Sequence, residues 1–379
     1  MDLILESTRQ YLGGNLEFCY PINVICFNRP AYLEQLLDSL LSQTVEISQD
    51  KVFFWVDGFQ ASLDEKFRRP DRTNEVASLI QKYFPESQMH ISENNIGIAR
   101  NYWRAEVHSF EHLSASSAFF LEEDLVLSPN YFELTMRIDS FVHFDQDISH
   151  ISPTGDISHT SSSPENYFQA FGHNWGYLLR GWHHFERKQM LQEYIAMISG
   201  QPYYLRSTKE SQILEHFYNK GVILAGTSQD AIKDGLRNYF NRISVTTNEP
   251  WASNVGVLGE HFSSSTSHHN RTIASDLSSF PTKFDFESKS ELLVDGKSKT
   301  SSQVYEHYLG SLDRLVAERD GLVAERDGLV AERDGLVAER DGLVAERDRI
   351  LDSRIWRLTM PYRAFRRKCL TLNDRNPKA

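Results

Sequence analysis

The stretch FFLEEDLVLSPNYF, residues 119–132, places three adjacent carboxylates directly after an apolar run. Glu122, Glu123 and Asp124 repel one another at the end of what the pattern predicts to be a buried strand. Such a cluster can bind a hard cation through oxygen ligands, or hold paired acids that differ in protonation. The competing interpretation is a solvated acidic turn before a helix over SPNYFEL, with Ser at the N-cap. Local sequence alone leaves both interpretations open.

Strand-like and helix-like segments alternate over residues 18–124. The apolar, β-rich runs are EFCYPINVICF, KVFFWVDG and SAFFL, and helical spacing appears in AYLEQLLDSLLSQ and NNIGIARNYWRAEVHSF. This alternation predicts an α/β fold with a mostly parallel sheet flanked by helices. Ligands of such sheets bind beyond the carboxyl ends of the strands, where Asp57 and the three acids are expected.

Composition excludes several classes of protein. The 379 residues carry a formal net charge of −12, which argues against a general nucleic-acid binder. Cys19, Cys26 and Cys369 show no metal-ligand spacing and form no evident disulfide framework. The N-terminus MDLILESTRQ has acids where a signal peptide would have Lys or Arg, and no run is apolar enough to span a membrane. We therefore expect a cytoplasmic protein.

The C-terminal part has a different organisation. LVAERD occurs five times at a strict seven-residue period that begins at Leu315. The repeat predicts a long helix, either a coiled coil that forms a homo-oligomer or a solvated single-helix spacer, because Glu or Arg occupies the usual second apolar position. We expect an α/β domain over 1–270, a Ser-rich linker over 271–311, the repeat helix over 312–350 and a basic amphipathic tail over 351–379.

Aromatic residues alternate with cations in this tail, as in SRIWRLTMPYRAFRRK, which suits an anionic membrane surface. The alternative is a basic helix that packs on its own protein.

Four ordered elements carry a resemblance to a known family. NVICFNRPAYLEQLLDSL, VFFWVDG, NNIGIARNYW and FFLEEDLVLSPNYF resemble the nucleotide-sugar half of GT-A fold glycosyltransferases, and most closely the N-acetylglucosaminyltransferase I family. The resemblance covers roughly residues 20–262. It implies a GT-A type, Rossmann-like sheet, a nucleoside-diphosphate sugar donor (a UDP-sugar favoured), a glycan or lipid-linked glycan acceptor, and Mn²⁺ or Mg²⁺.

The resemblance also implies roles for individual residues. Asp124 would bind the metal, and Arg100 would lie near the diphosphate. Asp57 would contact the base, with turn chemistry beside Gly58 as its alternative role. The remaining residues expected to bind the nucleotide sugar are Cys26, Asn28, Arg29, Glu122 and Glu123. For both arginines the alternative is an ordinary salt bridge at a helix start.

A catalytic base is implied further along the chain. Asp230 in TSQDAIKDGLRNYFNR occupies the place of the family's base, Asp234 is the second candidate, and Ser228 is a plausible N-cap of this helix. The family's Trp before the base is Gln229 here, which puts the acceptor contacts in doubt. A base opposite the leaving group implies inversion at the anomeric carbon. The alternative for Asp230 is an acid favoured by the helix dipole.

Acceptor contacts are expected from aromatic residues. Trp175 and Trp182 in GHNWGYLLRGW are candidates to stack on a sugar, with core packing as the alternative. SNVGVLGEHFSSSTSHHN resembles a segment near the acceptor site of many bacterial glycosyltransferases. His261, His268 and His269 in it are metal-ligand candidates, with ordinary loop histidines as the alternative. The expected setting is surface-polysaccharide synthesis, with the protein peripheral on the inner membrane face. The second hypothesis is a non-catalytic coiled-coil scaffold or chain-length ruler.

Overall fold

The computed structural model describes residues 18–59, 70–143, 145–155, 168–169, 175–247, 249–256, 273 and 286–373. The chain divides into two compact units, residues 1–308 and 309–379. His261, His268 and His269 lie outside the described residues.

The described residues of the first unit form ten strands. They are β1 (Ile22–Cys26), β2 (Val52–Val56), β3 (Gln88–Ile91), β4 (Ser117–Glu122), β5 (Leu125–Leu127), β6 (Ile148–Ile151), β7 (Phe168–Gln169), β8 (Gly176–Arg180), β9 (Ile243–Thr247) and β10 (Ala252–Asn254). Eight of them form one sheet in the order β3-β2-β1-β4-β8-β6-β9-β7, and β10 pairs with β5. Four of the seven junctions in the large sheet are parallel, and the three that involve β8 or β7 are antiparallel.

The helices that flank the sheet follow the predicted alternation. They are α1 (Pro30–Leu41), α2 (Thr73–Tyr83), α3 (Ile98–Val107), α4 (Tyr131–Val142), α5 (Gly181–Met197), α6 (Glu210–Tyr218) and α7 (Gln229–Tyr239). The predicted α/β fold, with a mostly parallel sheet and flanking helices, is confirmed. One predicted boundary is wrong: α4 begins at Tyr131, and Ser128 accepts the Asn130 N–H instead of capping the helix.

Two apolar layers cover the sheet. Every residue of β1 and β2 is buried, because alternate side chains enter opposite layers. Val24 and Phe54 belong to one layer, and Ile25 and Trp55 to the other. β-Branched and aromatic residues are enriched in strands, and a strand that is apolar on both faces is typical of the centre of a sheet. Because β1 pairs in parallel with both β2 and β4, the carboxyl ends of these three strands meet at one edge of the sheet. The loops that follow them therefore lie side by side.

The second region is helical. The helix α8 (Phe286–Asp352) contains the repeat and begins inside the segment predicted to be a linker, and α9 (Arg354–Asn373) follows it. The predicted long helix is confirmed, whereas its coiled-coil pairing stays a prediction. The repeat leucines at 322, 329, 336 and 343 are 60–61% exposed on the single chain. Within the described residues, no helix is both long and apolar enough to cross a lipid bilayer.

Candidate active site

Two acids of the triplet are buried, and the third, Glu122, is half-buried. β4 ends at Glu122 and the chain turns at Glu123 and Asp124, whose exposed fractions are 1% and 5%. The solvated-turn interpretation is therefore wrong. Leaving two carboxylates in such surroundings costs several kcal/mol each unless partners compensate them, so their contacts decide what the cluster can do.

Arg29 is the main partner of these carboxylates. It follows β1, and its Nε lies 2.6 Å from Glu123 Oε1 while its Nη1 lies 2.7 Å from Asp124 Oδ2. The second oxygen of Glu123 accepts the Phe27 N–H at 2.9 Å. Asp124 and Glu123 hold the pKa of Arg29 above its usual range although burial opposes this. The loop after β1 and the turn after β4 are thus joined through one guanidinium.

Asp124 is also held from the opposite side. The Asn254 amide donates to Asp124 Oδ1 at 3.4 Å, and the Val255 N–H donates to the Asp124 carbonyl at 2.8 Å. A Cβ at Gly256 would lie 2.2 Å from Asp124 Oδ2, so a glycine is needed there. The SNVG segment therefore packs on the acidic turn, and β10 pairing with β5 brings it there.

Glu122 differs from its two neighbours. Its Oε1 accepts a hydrogen bond from the Tyr102 hydroxyl at 3.1 Å. Burial and the nearby carboxylates of Asp124 and Asp230 raise the pKa of Glu122 well above its usual range. The surroundings of Glu122 thus favour its protonated form, while Glu123 and Asp124 are paired with Arg29.

Asp230 faces the same region from α7. Ser228 caps this helix by accepting the Ala231 N–H, as predicted, and Gln229 Nε2 donates to Asp230 Oδ1 at 2.5 Å. Burial and the Asp234 carboxylate raise the pKa of Asp230 to about 6. Asp234, the second candidate, instead pairs with Arg237 at 3.0 Å and its side chain is 40% exposed. The structure therefore brings Asp230, not Asp234, into electrostatic contact with the triplet.

Three predicted nucleotide-binding residues lie at the same edge but have structural partners. Asp57 accepts the backbone N–H groups of Gly58, Ile96 and Gly97, which fixes the start of α3. Asn28 bridges to the loop before α2, donating to the Pro70 carbonyl and accepting the Arg72 N–H. The buried thiol of Cys26 donates to the Val24 carbonyl at 3.7 Å. Their contacts to a nucleotide stay predictions.

The other predicted residues differ in position. Arg100 is half-buried in the first turn of α3, after β3, and makes none of the ion pairs found among the described residues. Trp175 borders the triplet, because its carbonyl accepts the Glu122 N–H at 3.3 Å. Trp182 does not: β8 runs antiparallel to β4, and Arg180 at its end pairs with Ser117 at the start of β4. Trp182 therefore lies at the opposite edge of the sheet, where it contacts Arg242, and the structure does not bring it to the site.

Sequence reasoning missed several groups around Asp230. Tyr102 and Lys233 lie between α3 and α7, with Lys233 Nζ 3.7 Å from the centre of the Tyr102 ring. Arg206 and Lys233 both lower the pKa of Asp230 against the effect of burial. The Tyr203 hydroxyl accepts the Gln229 N–H at 2.8 Å. A Lys on the apolar face of an amphipathic helix was the available sequence signal, since Lys is rarely fully buried without a partner.

The donor set around Asp124 fits an oxygen-coordinated cation. Asp124 and Glu123 supply hard oxygen donors of the kind that Mn²⁺ and Mg²⁺ take. The Asn254 side-chain carbonyl is engaged by the Gly256 N–H, and the amide group of Asn254 faces Asp124. Among the described residues no group of three or more His, Cys, Asp or Glu side chains is arranged to hold a metal ion. A cation at Asp124 would therefore need ligands from a bound substrate and would compete with Arg29.

Comparisons with known proteins give partial likenesses. No family model and no curated protein matches the chain. Among solved structures it resembles the mannosyltransferase PcManGT from Pyrobaculum calidifontis in complex with GDP-Man and Mn²⁺, at 13% identity and a TM-score of 0.30, over 48% of this chain and 53% of that one. It also resembles S. aureus TarS 1-349 in complex with UDP-GlcNAc (14% identity, TM-score 0.28, 44% and 47% covered). The glycosyltransferase GlyE of Streptococcus pneumoniae TIGR4 is similar at 9% identity and a TM-score of 0.28, over 48% and 39%. The chain thus spans about half the length of these structures or less.

Proposed function

We propose that the chain is a glycosyltransferase that moves a sugar from a nucleoside-diphosphate donor to an acceptor hydroxyl. The observation that supports this most is the meeting of three groups at the carboxyl edge of the sheet. These are Arg29, the Glu123–Asp124 turn that it binds, and Asp230 on α7, which lies close enough to raise the pKa of Glu122. A cation next to carboxylates suits a charged diphosphate, and a carboxylate with a raised pKa suits a general base.

The chemistry follows from these roles. The acceptor oxygen bonds to the anomeric carbon while the bond from that carbon to the phosphate oxygen breaks. The acceptor proton passes to Asp230, which is ionised above about pH 6. The diphosphate leaves with the bonding electrons, and in this proposal Arg29 stabilises its charge. Attack from the side opposite the diphosphate inverts the anomeric centre.

Asp124 is the residue that would hold Mn²⁺ or Mg²⁺, with Glu123 beside it. When bound, such a cation supplies charge stabilisation for the leaving diphosphate. The donor sugar nucleotide, with a UDP-sugar favoured, would supply the remaining oxygen ligands. The acceptor would be a glycan or lipid-linked glycan of a surface polysaccharide.

The C-terminal helices suggest how the enzyme is placed. Ile355, Leu358, Tyr362 and Phe365 repeat at helical spacing on α9 and are 68–80% exposed. Arg354, Arg357, Arg366 and Lys368 flank this stripe in the sequence. We propose that α9 lies on an anionic membrane surface at the inner face, which makes the cytoplasmic protein peripheral.

A screen of nucleotide sugars tests the catalytic proposal. Purified protein with Mn²⁺ and short glycan acceptors is expected to release nucleoside diphosphate from one donor class. Asp124→Asn and Asp230→Asn should each lower the rate at least about 100-fold, as losses of electrostatic or base catalysis do. Asp234→Asn is the matched control, one turn further on α7, and should keep most activity. Full activity in both active-site variants would refute the assignments.

The repeat supports a second candidate function, a scaffold or chain-length ruler. Its exposed leucines recur every seven residues on α8. Because a helix rises about 1.5 Å per residue, each added or deleted repeat changes the length of α8 by about 10 Å. Deleting three repeats (residues 322–342) keeps the helical phase of the remaining pattern. Unchanged turnover with altered product length would support the ruler, whereas unchanged product length would exclude it.

A further inference from the structure

Lys233 is a buried cation one turn after Asp230 on α7. Its side chain is 5% exposed, and its Nζ lies 3.2 Å from Glu106 Oε1 and 3.1 Å from the Tyr177 hydroxyl. Burying an ammonium without partners costs several kcal/mol. Its position therefore depends on the groups that surround it.

Glu106 on α3 is held as an anion from three sides. Arg187 Nη2 donates to Glu106 Oε2 at 2.9 Å, and His184 Nδ1 lies 3.1 Å from the same oxygen. Burial opposes ionisation of Glu106, but Arg187 and Lys233 outweigh it and hold the pKa of this carboxyl well below its usual range. Lys233 thus binds a carboxylate that is itself fixed by α5.

A second contact connects Lys233 to the acidic triplet. Its Nζ lies 3.7 Å from the centre of the Tyr102 ring, a cation–π contact in a desolvated site. The hydroxyl at the far end of that ring donates to Glu122 at 3.1 Å. One side chain therefore links the helix that carries Asp230 to the residue that binds the end of β4.

We propose that Lys233 is a positioning residue, which fixes α7 and its Asp230 relative to the acidic triplet through Glu106 and Tyr102 and places a positive charge one turn from Asp230. This inference rests on the proposed role of Asp230 as the base. Lys233 itself is too enclosed by Glu106, Tyr102 and Tyr177 to contact a substrate. Its effect is exerted through Asp230.

The charged and titratable groups that act on Asp230 come from several elements. Asp234 on α7 raises its pKa, and Arg206 in the segment before α6 lowers it together with Lys233. Asp230 in turn acts on its neighbours, because its negative charge raises their pKa values. These neighbours are Glu122, Tyr102, Tyr177, Tyr194 and Tyr203. Lys233 is the more deeply buried of the two cations that lower the pKa of Asp230, and Arg206 would stay in place after its removal.

The test compares Lys233→Met with Lys233→Arg and with Lys220→Met, a surface control that pairs with Glu193. In Lys233→Met, the acidic midpoint of the pH profile of kcat/KM should rise by about one pH unit. The donor KM should stay within about threefold, and part of the lost kcat should return above pH 8. Lys233→Arg and Lys220→Met should keep the wild-type midpoint. An unchanged midpoint, or an equal loss of rate at every pH, would overturn the proposal.

A readout independent of turnover separates this inference from the proposed function. The ¹³Cγ shift of Asp230 reports its titration directly in wild type and in Lys233→Met. If the wild type transfers no sugar, the proposed function fails, but an upward shift of the Asp230 midpoint still supports the electrostatic role of Lys233. If Lys233→Met does not fold, Glu106→Gln serves instead, because it frees Lys233 from its anchor. Glu106→Gln should lower kcat, and a wild-type kcat in this variant would overturn the positioning role.

Discussion

Arg29 Nη1 lies 2.7 Å from Asp124 Oδ2, so the carboxylate proposed to bind a metal already has a cation from the protein. Glu123 shares the same guanidinium at 2.6 Å. The two anionic groups are therefore neutralised in part without a ligand. A divalent ion and Arg29 compete for Asp124, and a bound diphosphate offers Arg29 a new partner.

Removing Arg29 should expose this competition. We expect Arg29→Met to bind Mn²⁺ without nucleotide about tenfold more tightly than wild type, since the Coulombic competitor is lost. Electron paramagnetic resonance of free Mn²⁺ measures the affinity. Arg72→Met is the control, because the Arg72 side chain pairs with Glu75 and not with the acidic triplet. Equal Mn²⁺ affinity in wild type and Arg29→Met would show that Arg29 does not compete with the metal ion for Asp124.

Glu122 and Glu123 should respond differently to the same substitution. Glu122→Gln should change the free energy of unfolding at pH 7 by less than about 1 kcal/mol, because burial and the carboxylates of Asp124 and Asp230 raise the pKa of Glu122 and favour the neutral form that glutamine resembles. Glu123→Gln should cost about 3 kcal/mol, because a buried partner of Arg29 and of the Phe27 N–H is lost. Urea denaturation of both variants measures the difference. Equal costs would contradict the assigned charge states.

Asp230 should make the fold less stable as the pH rises. Its pKa is raised from 3.8 to about 6, so the folded protein binds more protons than the unfolded chain between these values. The stability linked to this proton is fully present below pH 3.8 and is lost as the pH rises through about 6. The change in the free energy of unfolding caused by Asp230→Asn should therefore depend on pH. It should be more favourable at pH 8 than at pH 5, by on the order of 1 kcal/mol. A difference of zero between the two pH values would contradict the raised pKa.

The apolar stripe of α9 should carry the membrane affinity. Leu358→Asp with Phe365→Asp should abolish co-sedimentation with vesicles that contain phosphatidylserine, because two exposed apolar contacts are replaced by charge. Ala364→Asp with Thr371→Asp adds the same charge at positions of α9 that helical spacing puts opposite the stripe, and is the matched control. Binding of the first variant at the wild-type level, or loss of binding in both, would argue against the stripe.

The sequence predicted the strands and helices more fully than the contacts between residues that are far apart in the chain. Alternating apolar segments predicted the strands and helices from β1 to β4, because local periodicity determines them. Arg29 and Asp124 are 95 residues apart in the sequence, so their pairing was not predictable from local pattern. The antiparallel course of β8, which moves Trp182 to the far edge, depends on the sheet order. The link from Lys233 to Glu122 through Tyr102 depends on packing between α3 and α7, which no sequence spacing shows.

The position of the bound donor tests the central claim most directly. Hydrogen exchange of the full chain, measured with and without UDP or GDP and Mn²⁺, reports which backbone amides the nucleotide protects. We expect slower exchange in residues 27–29 and 122–124 with one of the two nucleotides, and no change around Trp182 at the opposite edge of the sheet. Protection confined to the opposite edge, or none with either nucleotide at millimolar concentration, would contradict a nucleoside-diphosphate site at the carboxyl ends of β1 and β4.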